Sequence, residues 1–176
     1  VILVRHSVPE IEAARPACQW GLSKEGRARC LSLADDLRPH HPELILSSTE
    51  PKAQETAALL AKALHLAWHT AENLHEHERA SVPFFESRAA FHEAIQAFFR
   101  HPHARVFGDE TAIQALNRFA NALRHALSLY PEKTVVIISH GTVMSLFIAH
   151  LTGDDPCAVW QKLKFPDFVV IPPSSR

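Results

Sequence analysis

Two histidines close two apolar runs: His6 follows Val1-Ile-Leu-Val-Arg5, and His140 follows Thr134-Val-Val-Ile-Ile-Ser139. Runs of branched aliphatic residues bounded by polar ones read as short, buried strands of a parallel sheet. A histidine just past such a strand lies at the sheet's carboxyl edge, where open α/β folds bind their ligands. If the two strands are neighbours, the imidazoles face each other. Arg5 then offers a planar fork of donors suited to phosphate or carboxylate oxygens, and a neutral imidazole beside it can attack phosphorus. The pattern predicts phosphoryl transfer, in which positioned cations and amide groups stabilise charge spread over three equatorial oxygens. His140 when protonated, and the amide groups of Gly141 and Thr142 at the start of the next helix, are expected among those groups.

A third cation is expected from Lys52, in the first helical turn after the apolar run that ends at Leu46. An alkoxide leaving group also needs a proton, which a carboxyl group kept partly neutral by burial or nearby charge can give. Glu76 and Glu78 lie in an irregular segment expected to overhang the site, and spacing alone does not decide between them. His40-His41, His75-x-His77 and His101-x-His103 have spacings seen in zinc sites, but no carboxylate or cysteine set accompanies them. A metal hydrolase is therefore the weakest reading, and no metal or cofactor is expected.

The elements that must hold these residues follow from local patterns. After a Pro-containing loop, Ser23 caps a helix with Glu25 in its first turn and Leu31, Ala34 and Leu37 as its apolar stripe, stopping before Pro39. Glu43 to Leu46 reads as a second strand, and Glu50 to Leu64 as a helix with Thr49 or Glu50 at its cap and Pro51 near N1. A brief strand is predicted at Leu66 to His69, an irregular insertion at Ala71 to Glu86, and helices at Arg88 to Phe99 and Glu110 to Leu129. The helix from about Thr142 to Leu151 is closed by Gly153, Asp155-Pro156 starts a short helix through Trp160, and Phe168 to Ile171 forms a last strand ahead of Pro172-Pro173. Strands alternating with helices predict a three-layer α/β sandwich with a largely parallel sheet flanked by helices.

At 176 residues the chain suits one domain, spanning 1–176. Eighteen basic and 19 acidic residues give no global field for nucleic acid or an anionic membrane, so an anion site must be built locally. The three cysteines, Cys18, Cys30 and Cys157, are odd in number and widely spaced, which suits reduced packing residues of a cytoplasmic protein. No apolar stretch reaches the ~20 residues that span a bilayer. The expected partner is a small phosphorylated molecule, not a nucleic acid or a membrane.

In combination these motifs resemble the histidine phosphatase superfamily, which includes phosphoglycerate mutases and many small phosphatases. Leu3-Val-Arg-His-Ser7 is similar to the family's Arg-His-Gly motif, with serine in the glycine position. Trp20-Gly-Leu-Ser-Lys-Glu-Gly-Arg27 is similar to its Leu-Thr-x-x-Gly segment, and Ser47-Ser-Thr-Glu-Pro-Lys-Ala-Gln-Glu-Thr-Ala57 to its Ser-Ser-x-x-x-Arg-Ala-x-x-Thr-Ala stretch. Leu74-His-Glu76 resembles the Leu-x-Glu that carries the proton donor, and Ser139-His-Gly141 the second catalytic histidine. The resemblance implies a phosphoglycerate mutase-like fold and a metal-independent phosphomonoesterase that works through phosphohistidine on His6. Arg5, Lys52 and His140 would hold phosphoryl oxygens, with Ser7, Gly141 and Thr142 nearby. Glu76 would protonate the leaving oxygen and then activate water.

Two departures stand out. Lys52 occupies the usual arginine position, and a point-like ammonium lacks a guanidinium's bidentate grip. Ser7 adds a side chain beside His6, to hydrogen-bond phosphate or to narrow the pocket. Two rivals to the hydrolase are a mutase, which this chain is short for, and a binding or regulatory domain weakened by Lys52. Trp20, Phe84, Phe85, Arg79 and Arg105 are further positions that could shape specificity.

Overall fold

The side chains of successive strand residues point to opposite faces of a sheet, and this alternation sorts the helices of the protein into two layers. The computed structural model describes residues 1–172, so Pro173 and the rest of the 1–176 span lie outside the described residues. β1 (Ile2–Arg5), β2 (Leu44–Ser47), β3 (Trp68–Thr70), β4 (Val135–Ser139) and β5 (Asp167–Val170) form one sheet of order β3-β2-β4-β1-β5. All neighbours run parallel except β5, which is antiparallel to β1. On one face Ile2, Val4, Ile45, Val136 and Ile138 pack with α1 (Lys24–Leu37) and α2 (Pro51–Leu64). On the other, Leu3, Leu44, Leu46, Val135 and Ile137 pack with α3 (Arg88–Arg100), α4 (Ala112–Ser128), α5 (Gly141–Thr152) and α6 (Pro156–Lys162). The result is the expected three-layer sandwich, mostly parallel. Among the described residues no helix is long and apolar enough to cross a membrane.

Several boundaries differ from the local patterns, each for a visible reason. In α1 the buried set is Cys30, Leu33, Ala34 and Leu37, spaced for one helical face, and Leu31 falls off that face to 63% exposure. α4 begins at Ala112 because Thr111 and Gln114 close a capping box, leaving Glu110 free of the helix. β3 starts two residues later than predicted, since the Leu66 amide still donates to Ala61 O at the end of α2. Pro39 lies inside a 3₁₀ turn, Arg38–His40, that prolongs α1. Of the cysteines, all free, Cys30 is buried and Cys157 partly so, but Cys18 is exposed and is no packing residue. Gly153, at φ 80°, closes α5 as predicted.

The loop leaving β1 is strapped onto α1. The amide and hydroxyl of Ser23 both donate to Val8 O, at 3.0 and 3.1 Å, and the Ser7 hydroxyl donates to Gly26 O at 2.7 Å. Val8 passes so close to the helix that a Cβ on Gly26 would lie 2.1 Å from its carbonyl oxygen. The Gly26→Ala variant is expected to lose about 1–3 kcal/mol of stability by overpacking. Urea denaturation measures this, and an unchanged midpoint would show that the loop yields freely.

Candidate active site

Parallel pairing of β1 with β4 places Arg5 opposite Ser139, and the His6 amide donates to Ser139 O at 3.0 Å. The next residue on each strand is a histidine, and the two rings meet edge-on with centroids 5.0 Å apart. His6 Nδ1 lies 2.7 Å from the carbonyl oxygen of Ser7. A carbonyl can only accept, so the ring proton sits on Nδ1 and Nε2 keeps its lone pair. Burial, reinforced by the neighbouring His140 and the charges of Lys52 and Arg5 against the Ser7 carbonyl, pushes the His6 pKa well below the ordinary imidazole value. The ring is neutral at physiological pH.

His140 is fully buried behind His6, with Nε2 2.8 Å from Ser48 Oγ and 3.6 Å from Glu50 Oε1, while Nδ1 has no partner among the described residues. Burial, then the Lys52 charge, lowers its pKa well below the ordinary value despite the opposing pull of Glu76, so the expected imidazolium is corrected to a neutral ring in the free site. Arg5 stacks its guanidinium on Phe165, 3.4 Å from the ring centroid, and donates from Nη1 to Leu163 O at 2.6 Å. Burial brings its pKa down to about 10, still protonated at neutral pH. Gly141 leaves room for that guanidinium, since a Cβ there would lie 2.8 Å from its carbon.

Glu76 is brought to the same place by the loop after β3, and its carboxylate accepts from the amides of His77, Thr142 and Val143 at 2.9, 3.1 and 3.2 Å. Two of these are unpaired N–H groups at the start of α5, where a negative charge is favoured. Burial alone would raise its pKa, but the proximity of His140, the Arg79 charge and the amide donors outweigh it and set the pKa at about 2. The expectation of a partly neutral carboxyl is thus corrected: without substrate the group is ionised. The Thr142 amide, expected to face phosphate, is likewise engaged by Glu76. Glu78 turns away, 3.1 Å from His75 Nε2 and exposed.

Lys52 is buried but not a free cation. Its ammonium pairs with the Glu50 carboxylate and donates to Ala17 O at 2.6 Å. Glu50 was readable only as a helix cap, yet its side chain makes no capping bond. Oε1 instead accepts the Glu76 amide at 2.8 Å. The one hint in sequence is its type, since Ser, Thr, Asp and Asn are the usual caps. Ser7 sends its hydroxyl into α1, toward Gly26, and its amide to Thr56 Oγ1 at 3.1 Å, so the hydroxyl neither narrows the pocket nor faces it.

Arg79 joins the site as a second guanidinium, beside Phe91 and Phe107, with Nη1 buried and unpartnered. The loop bearing Glu76 and Arg79 is clamped by a half-buried arginine and a buried glutamate. Arg118 donates to the carbonyls of Asn73, His75 and Glu76 at 2.9 to 3.0 Å and to Glu110 at 2.6 Å, and Glu110 accepts the Glu78 amide at 2.9 Å. Neither member of this clamp had a legible role in the sequence.

A cavity of about 990 Å³ opens over these groups, with Arg5, His6, Lys52, Glu76, Arg79 and Thr142 at its head and Trp20, Phe84 and Phe85 in its walls. His140, Ser7 and Gly141 lie behind the wall, and Arg105 is exposed outside it. The paired histidines of the sequence do not converge: His75 meets Glu78, and His77 is packed on Phe98 with centroids 4.0 Å apart. Among the described residues no group of three His, Cys, Asp or Glu side chains could hold a metal ion. An unprotonated imidazole nitrogen, two guanidinium groups and an amide-anchored carboxylate around one cavity can bind an anion, attack it and move a proton.

A model of the histidine phosphatase superfamily (branch 1) matches residues 1–167. The chain is 25% identical over 167 residues to phosphoserine phosphatase 1 of Hydrogenobacter thermophilus, which covers 91% of this chain and 79% of that protein. Its fold matches a mycobacterial glucosyl-3-phosphoglycerate phosphatase with a TM-score of 0.72 at 19% identity, over 92% of this chain and 82% of the other. It also matches a phosphoserine phosphatase of Entamoeba histolytica with a TM-score of 0.65 at 18% identity, over 91% and 83%.

Two outcomes follow from these surroundings. His6, His77 and His140 have lowered pKa values when folded, so the unfolded chain binds more protons as pH falls below about 6.5, and stability falls with it by up to about 1.4 kcal/mol per pH unit for each proton. Glu76 adds a further loss below about pH 4.5, as the unfolded carboxyl protonates first. Denaturant midpoints at pH 8, 6 and 5 measure the first effect; equal midpoints would contradict it. Arg118→Leu leaves Glu110 buried and unpaired, at a cost of about 3–5 kcal/mol. Faster amide exchange over residues 74–78, with the sheet unchanged, is the expected readout.

Proposed function

The chain belongs to branch 1 of the histidine phosphatase superfamily, and from that footing we propose that it hydrolyses a small phosphomonoester through a phosphohistidine on His6. The carrying observation is the unprotonated His6 nitrogen at the head of one cavity beside Arg5, Arg79 and Glu76, with Arg5 Nε and Arg79 Nη1 buried and without protein partners. Each of these two costs about 1–3 kcal/mol while unpaired, and phosphoryl oxygens can accept from both guanidinium groups. His6 Nε2 attacks phosphorus, the bond to the alcohol oxygen breaks, and Glu76 gives that oxygen a proton. Glu76 then takes a proton from water, whose oxygen displaces His6 and releases inorganic phosphate.

Glu76 must be neutral for the first step although it is ionised in the free site. The charge of a bound phosphoryl group offsets Arg5 and Arg79, and like-charge repulsion raises the carboxyl pKa, so substrate binding brings the proton with it. Arg79 also answers the deficiency of Lys52: the second guanidinium comes from the loop, and Lys52 with Glu50 holds that loop in place. This favours an active hydrolase over a domain that only binds.

Incubation with a labelled phosphodonor should give an acid-labile adduct that is absent in His6→Ala. Persistence of the adduct in that variant would exclude His6. Glu76→Gln should lower kcat by about 10²–10⁴-fold and remove the alkaline limb of the kcat–pH profile, while the acid limb of kcat/KM, set by His6 in the free site, lies well below pH 6.5. An alkaline limb unchanged in Glu76→Gln would take the proton-donor role from this residue. Release of phosphate without an isomerised product separates hydrolase from mutase.

A further inference from the structure

The phosphoryl group occupies only the head of the cavity. Beyond it the walls are apolar: Phe85, Phe91 and Phe107 lie 5.7–6.1 Å apart between centroids, Trp160 adjoins Phe91 at 6.1 Å, and Phe84 meets Trp20 at 6.2 Å. These rings come from four separate segments: the loop after β1, the insertion after β3, α3 with the loop that follows it, and α6. A volume of about 990 Å³ stands at the upper end of the ~300–1,000 Å³ that holds a drug-sized guest.

Charge is distributed in the opposite sense to what a small amino-acid or sugar-acid ester needs. The carboxylates on the cavity wall are Glu76, which is held by α5, and Glu86, which is exposed at the rim. A ligand ammonium next to the phosphate therefore has no free counter-ion among the described lining residues. Arg15, Arg88 and Lys164 also stand at the exposed rim, and Arg15 is paired with Glu12. Between head and rim the surface is chiefly aromatic and aliphatic. Such a wall gains most from covering by an apolar body, and aromatic edges favour an aromatic one.

Resting on the phosphatase reading above, we infer that the substrate is a phosphomonoester of a bulky alcohol whose body carries an aromatic ring, seated against Phe84, Phe85, Phe91 and Trp160. The bond broken is the same P–O bond. The aromatic alcohol is released as His6 takes the phosphoryl group, and it vacates the cavity before water attacks.

Three primary-alkyl phosphates with leaving alkoxides of similar basicity test this: ethyl phosphate, phosphoserine and 3-phenylpropyl phosphate. The phenylpropyl ester should have a kcat/KM at least roughly tenfold above either small ester, the effect of burying one ring. Phe84→Ala, at an exposed position that the fold does not need, should cut that ratio several-fold, and Trp160→Ala should do the same. Equal or better turnover of ethyl phosphate or phosphoserine would overturn the inference and leave the phosphatase reading standing. Absence of turnover of all three, and of p-nitrophenyl phosphate, would overturn the phosphatase reading and this inference with it.

Discussion

A single buried carboxylate, Glu50, holds the polar half of the site together. One oxygen neutralises Lys52, the other receives the Glu76 amide and lies within 3.6 Å of His140. It stands at the junction of β2 and α2 and reaches the loop after β3 and the start of α5, so four elements meet at one side chain. Charges so deep are tolerable only when each is paired and hydrogen-bonded. Losing this carboxylate would leave an ammonium buried among two imidazoles, and the surrounding geometry would have to open to admit water. The position of Glu76 is thus set from both sides, by Glu50 at its amide and by α5 at its carboxylate.

The cations are divided by function as well as by place. Lys52 is compensated within the protein. Arg5 and Arg79 are not: each rests on aromatic rings and keeps a buried nitrogen unpaired. A guanidinium suits that setting because it is weakly hydrated and stacks well. Positive charge facing the cavity therefore comes from the two groups best able to grip a planar array of oxygens, and the ammonium serves as structure.

The parts of this molecule that could be read from sequence are those governed by local periodicity. The buried strands, the Ser23 and Asp155 caps, Gly153 and the adjacency of His6 and His140 all follow from patterns within a few residues or from parallel pairing. What escaped depends on contacts across long separations. Glu50, Arg118 and Glu110 look like ordinary helix-end or surface residues until the chain folds, because the loop groups they hold lie 26 to 45 positions away from them. Glu76 was placed by family resemblance, but its charge state was misjudged, since burial was weighed without the amide groups of α5. The orientation of Ser7 was equally hidden: the close approach of Val8 to Gly26 decides it.

Arg5 leaves the first strand and finds its supports, the Leu163 carbonyl and the Phe165 ring, 158 positions away in the case of the carbonyl. β5, the antiparallel strand just beyond them, pairs with β1 and brings that segment over the site. During synthesis His6 emerges well before the segment that holds its neighbouring cation. Until that segment is made the nascent chain carries an unfinished site, and contacts this distant in sequence close slowly. Docking of that segment completes the β1 edge of the sheet and the cation site together.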